Sequence, residues 1–407
     1  MNRYDVIVVG AGASGMMSAI TSAHRGKSVL ILEKLSKIGI KLKATGGGRC
    51  NLTNTLPNDE FMSRFGKYGR FMTPALNLFN YKKLIEFLES IGVPTHAPDG
   101  YRIFPTTHNS STVINAMSEE MSRLGVEILC SQKVESLLYE DNQILGVKTK
   151  ESSFYTQNVI IASGGLGYPN LGAEGDGYSI VQEVGHKVTN LYPAMMPLKS
   201  KEDWVGNCRA DTIAKVEIRV DIKKYKKLSA IGDLIFTKNG IRGPVVLDFS
   251  REITPLLDKF EEVPIVMNLT KGLNEEQIRQ HFKKTLSDNT LQLLETLLPK
   301  ELSLELCKLA QIDPNIKLSI QKGINRDRLI SLLAWTPLTI NGHDGFKMAM
   351  ITRGGVSLKE IDPNTMGSRI IKGLYMVGEL VDIDGPCGGF NLQWAFASGY
   401  LAGELRG

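Results

Sequence analysis

Hydrophobic residues follow two different periods along this chain. Residues 4–9, 28–32 and 158–162 are short, nearly continuous apolar runs, which are typical of strands buried on both faces of a parallel sheet. Residues 81–91 and 111–124 instead carry apolar side chains every three or four positions, which predicts amphipathic helices. The alternation of the two patterns indicates an α/β fold with a mostly parallel sheet. A strand at 126–129 and a hairpin turn at 141–142 are also predicted.

The pattern changes in the middle of the chain. Apolar and charged residues alternate strictly over residues 216–222, which predicts a half-buried antiparallel strand. Helical spacing then dominates up to residue 335. The elements predicted here are strands at 233–237, 264–269, 338–340 and 347–352, and helices at 275–286, 290–298, 301–310 and 326–335. The sequence then predicts a buried strand at 373–378 and an amphipathic helix at 389–405, the same alternation of strand and helix as in the N-terminal part.

These elements predict an α/β protein with a discontinuous Rossmann-like domain. Its two parts are residues 1–190 and 345–407, because the C-terminal strand and helix complete the domain begun at the N-terminus. A β-rich domain at 191–272 and 336–344 is inserted between them, and a helical subdomain at 273–335 interrupts the insert in turn.

The glycines after the first strand form a dinucleotide-binding pattern. Gly10 permits a tight turn, Gly12 lets the backbone approach a pyrophosphate, and Gly15 lets the helix pack closely on the strand. The N–H groups at the start of that helix would face the phosphates. Glu33 ends the second strand 18 residues past Gly15 and could accept hydrogen bonds from ribose hydroxyls. Strand, helix, strand and acid therefore form one complete unit.

Two more glycine clusters lie far apart in the sequence. Residues 45–54 (Thr-Gly-Gly-Gly-Arg-Cys-Asn-Leu-Thr-Asn) combine a backbone that a ligand can approach with side chains that donate hydrogen bonds. Residues 378–395 place an acid after a strand, then a glycine loop, then a helix N-terminus, which favours electron-rich groups. A flexible surface loop and a capped structural helix are the alternative interpretations. Two such clusters in one open α/β sheet indicate a dinucleotide longer than NAD.

The three clusters resemble those of the bacterial two-domain NAD(P)/FAD-dependent oxidoreductases. These are the BaiN-like and aminoacetone-oxidase-like flavoproteins, which are similar to the wider fumarate-reductase-like FAD superfamily. The similarity extends over essentially the whole chain, including residues 236–244 in the insert and 352–356 after it. The resemblance implies FAD bound by the Rossmann-like domain, and a β-barrel-like insert that carries a small helical bundle.

The resemblance also implies which residues line the FAD. The pyrophosphate would contact Gly10, Gly12, Ala13, Ser14 and Gly15, and the adenosine ribose would contact Glu33. The residues expected to follow the cofactor are Lys34, Lys41, Gly47, Gly48, Arg49, Cys50 and Asn51. Val134 is expected at the adenine, with Ala162, Ser163 and Gly164 on the ribose side. Gly378, Glu379 and Asp382 are expected at the ribityl chain, and Gly389, Asn391, Leu392 and Gln393 near the flavin ring.

Four other features bear on the chemistry. The sequence has no histidine between His24 and His96, so no histidine near the second glycine cluster could attach FAD, and non-covalent binding is predicted. Arg353 lies where fumarate-reductase-like enzymes carry substrate-side residues, and we hypothesise that it binds a carbonyl or carboxylate; a surface strand end is the alternative. His343 fits a surface turn better than an acid catalyst. Cys50 and Cys387 could meet across the flavin, but redox pairs usually lie close in sequence.

Composition limits the class of protein. Five scattered cysteines among 407 residues form neither a disulfide framework nor a zinc spacing, so no metal is predicted and a reducing bacterial cytoplasm is favoured. No apolar run reaches the length of a membrane span, and the N-terminus leaves no room for a signal peptide. The formal net charge of +5 is mild, and the basic run at 223–227 fits a solvated edge better than a nucleic-acid arm, so no nucleic-acid partner is expected.

The sequence thus predicts an FAD-dependent oxidoreductase that transfers a hydride or two electrons to or from a small organic substrate. An NAD(P)H-dependent reductase of an activated double bond is favoured, although no second glycine fingerprint for NAD(P)H is present. An oxygen-using amine oxidase of the aminoacetone type is the alternative. Proteins of another class, a flavin-containing RNA-modification protein or a redox sensor, also stay open. The oligomeric state is left open.

Overall fold

The structure is a computed structural model and describes residues 4–406. In chain order, the first ten strands are β1 Val6–Val9, β2 Val29–Glu33, β3 Thr53–Asn54, β4 Thr95–His96, β5 Arg102–Pro105, β6 Glu127–Cys130, β7 Val134–Glu140, β8 Gln143–Thr149, β9 Ser153–Tyr155 and β10 Val159–Ile161. The next nine are β11 Tyr192–Ala194, β12 Leu198–Ser200, β13 Thr212–Val220, β14 Ser229–Thr237, β15 Gly240–Arg242, β16 Val263–Asn268, β17 Thr336–His343, β18 Ile351–Arg353 and β19 Leu374–Met376.

The α-helices alternate with these strands in the first half of the chain and dominate the region after β16. The first eight are α1 Ala13–His24, α2 Ile40–Ala44, α3 Asn58–Ser63, α4 Thr73–Leu78, α5 Tyr81–Ser90, α6 Ser110–Arg123, α7 Asp176–Glu183 and α8 Trp204–Asn207. The next six are α9 Pro244–Phe260, α10 Glu275–Lys284, α11 Thr290–Glu295, α12 Lys300–Ala310, α13 Gly323–Ala334 and α14 Phe390–Gly403.

The chain divides into two compact units. Unit 1 contains the residues up to Tyr192 and those from Met350 onward, and unit 2 contains Pro193–Ala349. Each unit has its own hydrophobic core. A parallel sheet in unit 1 and a closed antiparallel barrel in unit 2 confirm the predicted fold class. Within residues 4–406, no helix is both long and apolar enough to cross a bilayer.

Unit 1 is built on a five-stranded parallel sheet in the order β19-β10-β1-β2-β6. Its central strands are buried along their whole length, which explains their continuous apolar sequence. Helices α1 and α14 cross closely because glycines of α14 lie at the contact. A Cβ on Gly399 would lie 2.3 Å from the Ser14 carbonyl oxygen, and one on Gly403 would lie 2.6 Å from that of Ser18.

Most predicted elements of unit 1 are present, and several differ in detail. The hairpin turn at 141–142 is confirmed, since Asp141 and Asn142 both have positive φ (49° and 57°) as its two central residues. The strand predicted at 347–352 is wrong in its first part, because 345–347 form a 3₁₀ turn and only Ile351–Arg353 is extended. The C-terminal helix is present, but ten of its fourteen residues are buried, so it is not amphipathic. Helix α7 was not predicted.

Unit 2 is a six-stranded barrel in the order β12-β15-β14-β13-β16-β17, closed by the pairing of β17 with β12. The alternating segment predicted at 216–222 belongs to β13, which pairs with β14 and β16. A bulge between Ile213 and Val216 places Lys215 at positive φ (57°). Helices α10 to α13 confirm the four predicted helices to within a few residues.

The sequence prediction missed helix α9, the longest in the chain's described part. Its signals were present: Pro244 stands at the helix start, where proline is favoured, and buried Val246, Phe249, Ile253 and Leu257 follow at helical spacing. Pro255 lies inside the helix and hides the pattern, because an interior proline normally indicates a break.

Candidate FAD site

The first glycine cluster has the geometry that a pyrophosphate requires. Gly10 has φ +100°, and a Cβ there would lie 2.7 Å from the Ala162 carbonyl oxygen. A Cβ on Gly15 would lie 2.0 Å from the Gly10 carbonyl oxygen, so neither position admits a side chain. Gly12 differs, since a Cβ there would meet nothing within 4 Å. Gly12 also caps α1 without a side-chain hydrogen bond, which leaves the helix N–H groups next to Ala13 for a ligand.

The Glu33 carboxylate holds the two loops that meet beside β2. Its oxygens accept hydrogen bonds from the backbone N–H groups of Ala11 (2.7 Å) and Leu35 (2.8 Å). The residue is only 9% exposed. Each carboxylate oxygen has a second lone pair, so Glu33 can still accept a hydrogen bond from a ribose hydroxyl.

The segment after β10 adds an unpartnered hydroxyl near the first cluster. The Ala162 N–H donates to the Val9 carbonyl (2.9 Å), which fixes this segment beside β1. Ser163 Oγ is buried and has no hydrogen-bond partner among residues 4–406. Gly164 has φ +73°, and a Cβ there would meet nothing within 4 Å. Val134, the predicted adenine contact, is buried at the start of β7.

The second glycine cluster forms a tight left-handed turn. Gly46, Gly47 and Gly48 all have positive φ, and Cβ atoms on the last two would meet nothing within 4 Å. Cys50 also has positive φ (62°) although it is not glycine, and it is fully buried. Arg49 is exposed, and its guanidinium lies 5.8 Å from the centre of the Phe104 ring.

Asparagines of the second cluster bind the third cluster directly. The Asn54 side-chain amide donates to the Gly388 carbonyl (2.8 Å). The Asn51 amide fits with its oxygen 3.0 Å from the Gly389 N–H and its nitrogen 3.0 Å from the Thr53 carbonyl. Residues more than 330 positions apart therefore form one continuous loop wall. Of these two asparagines, the sequence prediction named only Asn51.

The two polar side chains predicted near the flavin ring both bind backbone groups of the protein, one in the adjacent loop and one far away in the sequence. Asn391 accepts from the Gly385 N–H (2.7 Å) and donates to the Gly385 carbonyl (2.8 Å). Gln393 donates to the Phe79 carbonyl (2.8 Å), and its buried side-chain oxygen has no partner among residues 4–406. Leu392 is partly buried. Helix α14 begins after Gly389 without a side-chain cap, as α1 does after Gly12.

Ion pairs engage both lysines that were predicted to follow the cofactor. Lys41 pairs with Glu379 (2.6 Å), whose second oxygen accepts from the Thr352 N–H (2.8 Å). Lys34 pairs with Glu174 (2.7 Å) and with Asp176. Thr352 in turn accepts a hydrogen bond from the Leu166 N–H (2.7 Å), and no sequence signal identified it. The segments around Gly165, β18 and Gly378 are thus joined through Glu379.

Arg353 lies at the end of β18, beside an acidic loop. Its guanidinium is 3.8 Å from the Asp384 carboxylate, and the two side chains are 30% and 9% exposed. Asp382, in the same loop, is buried, and burial raises the pKa of its carboxyl against the opposing effect of a Thr189 hydrogen bond. The arginine is therefore oriented towards the loop that leads into α14. Asp384 was not predicted from the sequence.

A family model described as the HI0933-like protein Rossmann domain matches residues 4–405. The chain is 33% identical over 410 residues to the 3-dehydro-bile acid delta(4,6)-reductase of Clostridium scindens, covering 99% of this chain and 98% of the relative. The chain belongs to the HI0933-like family. It is an FAD-dependent oxidoreductase, as the sequence predicted.

Other HI0933-like relatives have different substrates in their names. The ribosomal RNA dihydrouridine synthase of Haemophilus influenzae is 29% identical, covering 98% of each chain. Among solved structures, the 3-ketosteroid delta1-dehydrogenase of Sterolibacterium denitrificans has a TM-score of 0.56 at 12% identity, covering 100% of this chain and 99% of that one. A flavocytochrome c3 fumarate reductase has a TM-score of 0.52 at 16% identity, covering 99% and 78%. These two structures share the fold.

The glycine clusters of this HI0933-like chain fit FAD. Open space at Gly12, Gly47 and Gly48 and the uncapped start of α1 are features that a bound dinucleotide would use. The contact of the second cluster with the third agrees with a ligand longer than NAD. The assignment of single residues to parts of FAD stays a prediction.

The structure gives no support to a redox-active cysteine pair or to His343 as an acid catalyst. All five cysteines of this HI0933-like chain are free thiols. Burial raises the pKa of the Cys50 thiol to about 11, so its reactive thiolate is scarce at neutral pH. His343 accepts a hydrogen bond from the Gly345 N–H (3.0 Å), and burial lowers its pKa. Residues 4–406 contain no group of three or more His, Cys, Asp or Glu that could hold a metal.

Proposed function

We propose that the protein is an NAD(P)H-dependent reductase of a carbon–carbon double bond conjugated with a carbonyl group. One observation carries this proposal: the full-length relatives, although named for unlike substrates, share this chemistry. A 3-dehydro-bile acid with delta(4,6) unsaturation has double bonds conjugated with its 3-oxo group. Formation of dihydrouridine saturates the uracil double bond that is conjugated with a ring carbonyl.

The chemistry is favoured by a hydrogen-bond donor at the carbonyl oxygen, and a cationic donor neutralises the developing charge best. Bound flavin, once reduced by NAD(P)H, would supply a hydride to the carbon β to the carbonyl, and a proton taken up from water would complete the reduction at the α carbon. The electron pair of the double bond then moves towards the carbonyl oxygen, and a donor that neutralises this oxygen lowers the barrier. Arg353 is the proposed donor, because its charge is permanent and its side chain is held beside Asp384 (3.8 Å).

Anaerobic titration of the flavin-loaded protein tests this proposal. NADH or NADPH should bleach the flavin absorbance, and 4-androstene-3,17-dione, a steroid with a double bond conjugated with its 3-oxo group, should restore it. A saturated 3-oxo steroid is the matched control and should leave the flavin reduced. Bleaching by aminoacetone, with hydrogen peroxide formed in air, would instead support the amine oxidase. No bleaching by any reductant would support a redox sensor.

A second candidate is the reduction of uridine within ribosomal RNA. Two full-length relatives bear this name, from Haemophilus influenzae and Escherichia coli. The charge distribution also favours it: unit 2 has 24 Lys and Arg against 20 Asp and Glu, which gives four of the chain's five excess positive charges. Mass spectrometry of nucleosides from ribosomal RNA incubated with protein and NADPH would test it. Absence of new dihydrouridine, while the enone is still reduced, would restrict the activity to small molecules.

A further inference from the structure

The densest basic cluster of the chain has a defined position on the barrel of unit 2. Lys223, Lys224, Lys226 and Lys227 lie in the connection between β13 and β14 and are exposed. Lys259, near the end of α9, is also exposed and lies beside this connection. We call these five side chains the lysine edge.

Aromatic rings fix the lysine edge to the end of α9. The rings of Tyr225 and Phe260 lie edge to face, with centroids 5.9 Å apart. The Lys259 ammonium donates to the Tyr225 hydroxyl (3.3 Å) and lies 5.0 Å from the centre of the Phe260 ring. Two backbone hydrogen bonds, Tyr225 N–H to Ile222 and Leu228 N–H to Tyr225, close the turn. The lysines therefore project from an ordered turn.

Few acids neutralise this edge. Lys226 lies 3.6 Å from Asp221, and both side chains are largely exposed, so the pair contributes little. Within residues 4–406, Lys223, Lys224 and Lys227 form no ion pair with a carboxylate. Asp258, Glu261 and Glu262 are near α9's end, and Glu262 pairs with Lys201 (2.9 Å). A net positive surface remains.

We propose that the lysine edge, with the Phe260 ring, is an RNA-binding surface. Four lysines within five residues can neutralise successive phosphates of one strand. Phe260 is 39% exposed beside Lys259, and an exposed ring next to cations is the arrangement on which unpaired bases stack. A lipid surface would use the same charges but gains little from a single half-exposed ring.

This inference rests on the second proposed function, the reduction of uridine in ribosomal RNA, because RNA would then be the macromolecular substrate. It does not depend on the enone chemistry, because binding is measured without turnover. The alternative is that the lysine edge is only a solvent-exposed surface that binds no partner.

Salt-dependent binding decides between them. The flavin-loaded protein is titrated into a fluorescein-labelled RNA stem–loop at several salt concentrations, and K223Q/K224Q/K226Q/K227Q is compared with the wild type. Each lost phosphate contact should reduce the slope of log K against log salt by about 0.7, so a reduction approaching about 2.8 is expected. Affinity at physiological salt should fall at least about tenfold.

A matched variant and a ring substitution sharpen the test. K283Q/K284Q/K317Q/K322Q removes four exposed lysines elsewhere on unit 2 and should bind like the wild type. Phe260→Leu keeps an apolar side chain but removes stacking, so it should weaken binding while leaving the salt slope unchanged. A urea-unfolding curve like that of the wild type shows that each variant is folded.

Four outcomes would overturn the proposal. They are no RNA binding by the wild type, equal binding by the lysine-edge variant, an equal loss in the matched variant, or lysine-dependent binding to phosphatidylserine vesicles without binding to RNA. Failure of the second candidate is recognised separately, as absence of new dihydrouridine in ribosomal RNA while the wild type still binds RNA through the lysine edge.

Discussion

At the residue scale, Arg353 is the side chain on which the proposed chemistry depends most. Its partner Asp384 is buried, which keeps the guanidinium oriented at the cost of part of its charge. Asp382 lies in the same loop, and burial raises the pKa of its carboxyl. In the proposed reaction, Arg353 would stabilise the negative charge that develops on the substrate oxygen.

Replacement of Arg353 by Ala should impair the half-reaction with the enone and spare the half-reaction with NAD(P)H. We expect kcat/KM for the enone to fall by about 10²–10³, as for loss of one oxyanion donor. Stopped-flow absorbance separates the two half-reactions. Arg353→Lys should restore part of the rate, and Arg369→Ala, an exposed arginine of the same unit, is the control. Equal rates of enone reduction in wild type and Arg353→Ala would exclude the role.

Residue roles were predictable from sequence only where the backbone decides them. The spacing of Gly10, Gly12 and Gly15 determines which positions exclude a Cβ, and the structure agrees. The hydrogen-bond partners of side chains could not be predicted in this way, because they depend on residues far away in the sequence. Gln393 donates to the Phe79 carbonyl, a partner 314 positions away that no local pattern reveals.

At the element scale, the contact of α1 with α14 links the C-terminus to the start of the cofactor site. Gly399 of α14 lies against the Ser14 carbonyl, one turn from the N–H groups expected to face the pyrophosphate. Gly378 N–H donates to Ser398, and Trp394 donates back to the Gly378 carbonyl (3.0 and 3.1 Å). Helix α14 is therefore buried because it packs against α1 and the Gly378 segment, and its sequence need not be amphipathic.

Replacement of Gly399 by Ala should destabilise unit 1 and weaken FAD binding together. The new Cβ would lie 2.3 Å from the Ser14 carbonyl oxygen, so the helices must separate, at a cost of about 1–3 kcal/mol. Gly323→Ala is the matched control, because a Cβ at this helical position would meet only the end of the Arg326 side chain, at 3.7 Å. Urea unfolding and FAD titration measure the two effects. An unchanged midpoint for Gly399→Ala would show that the contact relaxes freely.

A buried histidine fastens α7 to the segment that precedes β19. His186 is fully buried at its side chain, with Nε2 2.8 Å from the Ser368 hydroxyl and Nδ1 3.2 Å from the Glu360 carboxylate. Ser368 Oγ already accepts hydrogen bonds from the N–H groups of Ile370 and Ile371. Its hydroxyl proton is therefore donated to Nε2, and the neutral ring carries its own proton on Nδ1.

The stability of the protein should fall as pH drops below about 6.5, the ordinary pKa of histidine. Burial lowers the pKa of His186 in the folded state, although Glu360 opposes this shift. The unfolded chain therefore binds the proton first, and this favours unfolding as pH falls from the ordinary pKa through the folded one. Urea unfolding of wild type and His186→Gln at pH 7.5 and pH 5.5 measures the difference. A parallel loss in both proteins would assign the pH dependence to other groups.

Elements were predictable where one hydrophobic period dominates the sequence. The parallel strands of unit 1 are uniformly apolar because they are buried along their whole length, and the sequence identified them. Helix α9 escaped because Pro255 contradicts a pattern that its buried face otherwise carries. Strand closure of the barrel depends on pairs such as β12 with β17, whose partners lie more than 130 positions apart.

At the scale of the whole molecule, the two units differ in charge and in cofactor chemistry. The glycine clusters and the residues joined through Glu379 all lie in unit 1. Unit 2 carries most of the excess positive charge and the lysine edge. Variants of the lysine edge should therefore change macromolecule binding, whereas variants of unit 1 should change flavin chemistry.

The flavin should be held without a covalent bond. Covalent attachment needs a nucleophilic side chain beside the ring, and in the second glycine cluster the sequence offers Cys50 and no histidine. The Cys50 thiol is fully buried and its pKa is raised to about 11, so it is a poor nucleophile at neutral pH. Acid precipitation should release all FAD into the supernatant, and intact-mass spectrometry of the protein should give the mass of the chain alone. Cys50→Ala should behave identically. A protein pellet that stays yellow, or a mass increased by that of FAD, would contradict this prediction, and Cys387 of the third glycine cluster would be the next thiol to replace.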